Sequence, residues 1–480
     1  MVRTEGLSVT AAQSRPAENP RRQARPPALN GREWKPLKHL VVLFAMAVLA
    51  RGQDALSLKE AVRQSMARSK AIDASSAAGD AARARVSEAK SGLLPKVNYS
   101  ETWARSDNPV FVFSALLSQR QFSESNFGLA SLNRPGFLSN FQSLVTVDQP
   151  IFDAGKTRHA VRTAKLGESL SQEDSRRIRL ETIAQVVRFY CDTQLGVEEV
   201  AVTQQAMRSA EADLERVEAR RASGMATDAD VLSLRVHLAG VREQKIRRSA
   251  ELEVARAAMN DAIGLPLEAV HSLTTVLAPL PDASAEQAGY EQDALEGRPE
   301  ARQARIAAEM AGVQASDARS NYLPQATLHG AFEADRGRFA DRGAGNWLVS
   351  IALRWNLFNG GADKAKVTES DALTHRAAAE QARVESTIRL QVRQAWANLK
   401  AAQQRIESAQ ASVAEAQESL RVSQNRFGTG LNTVTDLLRT EAALLETQTR
   451  YLAAVHDQRI AAAMLEFAAG TLNPDSEVLN

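Results

Sequence analysis

The sequence predicts a mainly α chain with a small β part, in which one helix, strand, strand, long helix, helix unit occurs twice. Three observations predict it. Only 5% of the 480 residues are aromatic, and Ala, Arg, Gln and Glu dominate long stretches, a composition suited to extended helices. The second half repeats the first at a constant shift of 206 residues, pairing Phe152 with Phe358, Gly155 with Gly361, Tyr190 with Trp396, Arg220 with Arg426, Gly224 with Gly430 and Gly264 with Gly470. Directly after Gly155 and Gly361 the apolar period changes from two to about three and a half, the switch from strand to helix.

Near the amino terminus the uninterrupted apolar run Leu40 to Ala50 follows Arg32, Lys35, Lys38 and His39 and precedes small residues. It has the length of a signal-peptide core and is too short to cross a bilayer as a helix. Residues 1–52 are therefore read as an N-terminal extension and signal peptide, with cleavage near Ala50 or Gly52. No later run is long enough for a membrane helix, so a membrane crossing would have to be made by strands.

The first repeat spans 53–264. Leu56 to Leu93 has helical spacing, and Pro95 stops it because proline lacks a donor and holds its predecessor extended. A strand over about 95–106 places Val97, Tyr99 and Trp103 on one face, interrupted by Glu101; the strand over about 139–152 returns with Phe141, Val145, Val147 and Ile151. Between them, Ser106 to Leu138 carries Phe111, Phe113, Phe122, Phe127 and Phe137 and reads either as a cover over a mouth or as a passive packed loop. A long helix over about 154–222 follows, then a return helix from Met225 to Ile263. A connector over 265–291 leads to the second repeat, 292–472, with strands over about 324–336 and 346–358 and a long helix over about 362–427; residues 473–480 form a tail. In that helix Ala395, Leu399, Ala402, Ile406, Ala409, Val413, Ala416 and Leu420 step by alternating fours and threes, a heptad seam. Each long helix would run about 100 Å at 1.5 Å per residue.

Four strands with a lipid-facing side leave unpaired backbone groups at each edge, so they must close with further copies of the chain. Two copies would give eight strands, and three would give twelve, wide enough for a water-filled lumen. The 59 basic and 57 acidic residues nearly cancel and are interspersed, so no nucleic acid partner is expected. Cys191 is the only cysteine, which excludes an internal disulfide and a cysteine metal cage and suits a buried helix position. The 7 histidines are scattered, and neither a metalloprotease pattern, a nucleophile elbow nor a phosphate-cradling loop is present; no enzyme, metal or cofactor is expected.

At the turns between long and return helices, Gly224 and Gly430 sit where a helix ends with positive φ. Thr227 with Asp230 and Thr433 with Asp436 have capping-box spacing. The alternative reading of these acids is a ring at a narrow pore mouth that biases passage toward cations.

The twice-written set of motifs resembles the TolC-like outer membrane efflux protein family from about Leu56 to Leu472. It comprises Leu94-Pro95 and Leu323-Pro324, the junctions Ile151-Phe152-Asp153-Ala154-Gly155 and Leu357-Phe358-Asn359-Gly360-Gly361, and the Gly-x-x-Thr-x-x-Asp turns. The resemblance implies a homotrimer with a twelve-strand barrel in the outer membrane of a Gram-negative bacterium and a periplasmic helical tunnel. It also implies docking to a periplasmic adaptor and an inner-membrane transporter of RND, ABC or MFS type, in efflux or type I secretion. Phe427 and Asn432 stand where the family's gate has a tyrosine and an arginine, and Arg439 where it has a second acid. Ser223-Gly224-Met225 and Thr429-Gly430-Leu431 resemble the family's adaptor-contact motif, with a tucked turn as the alternative. A soluble coiled-coil scaffold and a periplasmic adaptor are the rival classes. The scaffold needs neither strands nor a leader, and the adaptor has one hairpin rather than a duplicated pair.

Overall fold

The structure, a computed structural model, describes residues 55–281 and 286–480; the expected leader over 1–52 and its cleavage site lie outside the described residues. The first repeat runs β1 (Ala55–Leu56), α1 (Leu58–Arg68), α2 (Lys70–Ser91), β2 (Lys96–Ser106), α3 (Pro109–Ser118), α4 (Leu129–Asn133), β3 (Leu138–Phe152), the long α5 (Lys156–Ala222) and its return α6 (Asp228–Ile263). After β4 (Ser272–Leu273) the second runs α7 (Gln287–Gly297), α8 (Pro299–Ser320), β5 (Gln325–Arg336), β6 (Ala344–Arg354), the long α9 (Ala362–Gly428) and its return α10 (Val434–Ala469). Lengths match in pairs: 67 residues for α5 and α9, 36 for α6 and α10, 22 for α2 and α8, and 11 for α1 and α7.

Two expected helices are broken. Leu56 to Leu93 reads as one helix from spacing alone, but Ser69 takes ψ 117° and its hydroxyl accepts the Ile72 amide, so it ends α1 and caps α2. The second repeat's counterpart before β5, which the duplication makes a helix over about 292–322, breaks at Arg298, held extended by Pro299, which is itself well placed at the first position of α8. The loop between β2 and β3 is also more regular than its composition suggests, because Asn108 caps the apolar helix α3 through the amides of Val110 and Phe111.

The four long strands form one antiparallel sheet in the order β2-β3-β5-β6, so the two repeats join through β3 and β5. Register puts Tyr99, Val145, Phe332 and Trp347 in one row and Val97, Val147, Gly330 and Val349 in the next. Tyr99, Phe332 and Trp347 are 66%, 53% and 79% exposed, far above what a buried face would show. The opposite face carries Asn98, Ser100, Thr102, Gln142, Thr146, Asp148, His329, Glu333 and Asp335. Trp355, Leu357 and Phe358, inside the strand expected over about 346–358, lie beyond the end of β6 and are also exposed.

α5 packs against α6, α2 and α1 of its own repeat and α8 and α10 of the other; α9 packs against α10, α8 and α7. Leu399, Ala402 and Ile406 of the heptad seam are buried, whereas Val413, Ala416 and Leu420 toward the tip are half-buried. The largest core lies where the broken helices meet the rods. There Tyr190 is fully buried, its hydroxyl donating to the Leu56 carbonyl at 2.9 Å and accepting from the Thr275 amide at 3.2 Å. This ties the parallel β1–β4 ladder to α5. Cys191 beside it is 1% exposed, and burial pushes its thiol up to about 12. A maleimide at neutral pH should therefore leave the folded protein unlabelled and label it fully in denaturant, as mass spectrometry would read; labelling of the folded form would refute the packing.

Candidate functional site

Both tips are built the same way. At the first, the amide of Gly224 donates to Arg221 O at 2.9 Å and that of Met225 to Arg220 O at 2.8 Å; at the second, Gly430 donates to Phe427 O at 3.1 Å and Leu431 to Arg426 O at 2.8 Å. These are paired Schellman bonds, which require the left-handed φ of +75° and +79° found at the two glycines. Thr227 and Thr433 cap the return helices. Each hydroxyl accepts the amide of its aspartate at 3.2 Å, and Asp230 and Asp436 accept the threonine amides at 2.9 and 3.3 Å.

The aspartates thus spend one oxygen on their own helix starts. Hydrogen bonds from Thr433 hold the Asp436 carboxyl below the usual carboxylate range. Arg439 lies 3.7 Å from the same carboxylate and is 80% exposed, so the pair is a solvated one that offsets the charge locally. Asn432 donates to Ser423 Oγ at 3.1 Å within its own hairpin. Ser223 and Thr429 fold back onto the carbonyls of Arg220 and Arg426, both at 2.9 Å. Met225 and Leu431, by contrast, project with 66% and 77% of their surface exposed.

What joins the tips is a residue that motif reading passed over. Arg220 of α5 donates to Phe427 O of α9 at 2.6 Å and stacks 5.0 Å from the Phe427 ring centroid. Phe427 also packs on a shared apolar cluster of Val217, Val231, Leu234 and Val434, drawn from both repeats. Arg220 is visible in the sequence only as the repeat partner of Arg426. Higher up, Asp213 of α5 and Glu441 of α10 are buried against each other, with His237 of α6 placed 3.3 Å from Glu441 and Arg216 paired to Asp213. Nothing in the local sequence around either acid marks this cluster.

A four-stranded sheet with an exposed apolar face is carried on two long helices of about 100 Å whose capped tips share a core, the build of a chain that meets lipid at one end. Residues 61–265 and 291–471 match the family described as Outer membrane efflux protein, and the chain belongs to that family. It is an outer-membrane transport family, which sets aside the soluble scaffold, adaptor and enzyme readings. The pyoverdine export outer membrane protein OpmQ of Pseudomonas putida is 26% identical over 54% of this chain and 52% of its own length. The outer membrane protein OprJ of Pseudomonas aeruginosa is 25% identical over 61% and 58%. The matched region therefore spans little more than half of either curated relative. The crystal structure of VceC from Vibrio cholerae superposes with a TM-score of 0.73 over 86% of this chain and 96% of that one; at 19% identity the likeness is one of fold.

Proposed function

We propose that the chain is one of three identical subunits of an export duct, in which cargo passes from a periplasmic adaptor and inner-membrane pump to the exterior without chemical change. The observation that carries this is the apolar row Tyr99, Val145, Phe332 and Trp347 running across all four strands, exposed at all but the half-buried Val145, with β2 and β6 left as edges. Such a surface is stable only in lipid, and such edges are stable there only when paired. Three copies give twelve strands, a barrel wide enough for water, and the rods extend the passage into the periplasm. A water-filled duct discriminates little, so cargo choice rests with the pump and adaptor, of RND, ABC or MFS type. Asp230 and Asp436 are the proposed ring at the periplasmic mouth, with Arg439 offsetting the charge of Asp436.

The exposed pair Met225 and Leu431, each next to a tip glycine, is the proposed adaptor contact, with Ser223, Gly224, Thr429 and Gly430 setting its shape. Only the distant Arg220 guanidinium, 3.9 Å away, would meet a side chain at Gly430, so a substitution there is limited by φ rather than space. Gly430→Asn, which tolerates left-handed φ, should keep export, whereas Gly430→Arg should abolish it while a heat-resistant oligomer still forms in outer-membrane fractions. Loss of the oligomer in Gly430→Arg would count against docking, and recovery of the parent chain as a soluble periplasmic monomer would sink the duct.

A further inference from the structure

The segment between β2 and β3 lies on the polar side of the sheet. Gln119, at the end of α3 and 6% exposed, donates to Ser139 O at 3.0 Å and to Asn140 Oδ1 at 2.8 Å. Asn140 in turn donates to Asp335 of β5, which is 1% exposed. Asn140 and Asp335 alternate with Phe141 and Phe332, so they belong to the face opposite the apolar rows. The next residue, Arg120, is held at a left-handed φ of 57° and reaches across to donate to Gly345 O of β6 at 2.9 Å. The segment is therefore fastened to β3 and β6, and through Asn140 of β3 to β5, crossing the sheet at the end remote from the rods.

Its interior is organised to hold that course. Val112 and Ala115 of α3 are buried, and Phe113, Phe122 and Phe127 stack edge to face at 4.9 and 5.1 Å. Five large apolar residues of the segment, Val110, Leu117, Phe127, Leu129 and Phe137, stay at least half exposed. A non-glycine residue held at left-handed φ and a buried polar chain of three side chains mark a set conformation rather than a slack loop.

We propose that Asp107 to Phe137 is an outer gate: a strap across the lumen side of the barrel that narrows the extracellular mouth with an apolar collar. The inference rests on the duct reading above. Apolar constrictions close pores by resisting wetting, and a strap held by a few hydrogen bonds at one end can swing aside when cargo presses through. Because the second repeat lacks this segment, only one of the two hairpins in each subunit carries a gate.

A cysteine placed deep on the lumen side tests this, since native Cys191 is buried and stays silent. Ser350, opposite His329 on the polar face of β6, is such a position. On intact cells bearing Ser350→Cys, a bulky polyethylene-glycol maleimide added outside should label about tenfold more slowly than in the same variant with Gln119→Ala and Arg120→Ala added, the change expected when latch bonds are removed. A second release, replacing residues 108–134 by a short turn, should label as fast as the double alanine form. Equal labelling of strapped and released forms by the bulky reagent would overturn the gate. Failure of even a small impermeant maleimide to label any form from outside would overturn the duct reading itself, and the gate with it.

Discussion

Replacing Asp213 with alanine should loosen the two hairpins above their tips and cost about 3 kcal/mol, the usual penalty for stranding one member of a buried ionic cluster. Asp213 and Glu441 are 1% and 9% exposed and come from different repeats, so their contact is a bond between hairpins. Burial, and then the neighbouring Glu441, push Asp213 up to about 8. Burial raises Glu441 too, but hydrogen bonds from His237 and Asp213 outweigh it and hold that carboxyl below its ordinary value. At neutral pH Asp213 thus keeps a proton and donates it to an ionised Glu441, with Arg216 facing Asp213 and His237 facing Glu441.

The folded chain then holds a proton that an unfolded Asp213, near its ordinary 3.8, would release. The stabilisation is fully present below that ordinary value, declines as pH rises, and is gone above about 8. Glu441, with its value depressed, acts in the opposite sense and loses its share only as pH falls through the carboxylate range. Asp213→Asn supplies the same donor without titrating. Thermal unfolding of the detergent-solubilised protein should therefore shift downward between about pH 6 and about pH 9 for the parent and much less for Asp213→Asn. Equal shifts in the two would show that the acid pair does not couple the hairpins.

Gly470→Ala should be the most damaging single methyl in the chain, at about 2–4 kcal/mol from left-handed strain and crowding together. Gly470 ends α10 at φ +74°, and a Cβ there would sit 3.1 Å from the backbone N and Cα of Arg298, at the break between α7 and α8. Backbone cannot swing away as a side chain can. Its repeat partner Gly264 provides the control: φ is +79°, but the nearest atoms are the Arg68 Cβ at 3.1 Å and its carbonyl oxygen at 3.6 Å. Gly264→Ala should carry the φ strain with less crowding, so its unfolding midpoint should fall by about half as much. Equal midpoints for the two variants would refute the close approach at Arg298.

The duplication was legible because it is written in identities at fixed spacing, such as Gly224 with Gly430 and Thr227 with Thr433. The tip caps were legible for the same reason: their chemistry spans only a few residues. Breaks were harder. Ser69 ends one helix and starts another within a stretch whose spacing stays helical, so only the extended ψ reveals it. The buried links were hidden altogether, because Asp213 meets Glu441 and Arg220 meets Phe427 across more than two hundred residues. A periodic pattern tells which stripe of a helix is covered, not which acid on another helix covers it. Helix α3 was missed because Pro-Val-Phe-Val-Phe is a β-favouring run, overruled here by the Asn108 cap and by packing on the sheet.

The pairing of β3 with β5 also governs how the protein must be made. Between those neighbours lie both arms of the first hairpin, so the sheet's central ladder cannot form until the second repeat has left the translocation machinery. A half-translocated chain would present β3 as a bare edge beside an apolar row, the state most prone to mispairing in an aqueous compartment. Biogenesis is thus expected to be late and all at once, with the helical rods folding first and serving as the frame on which the barrel is gathered and delivered to lipid.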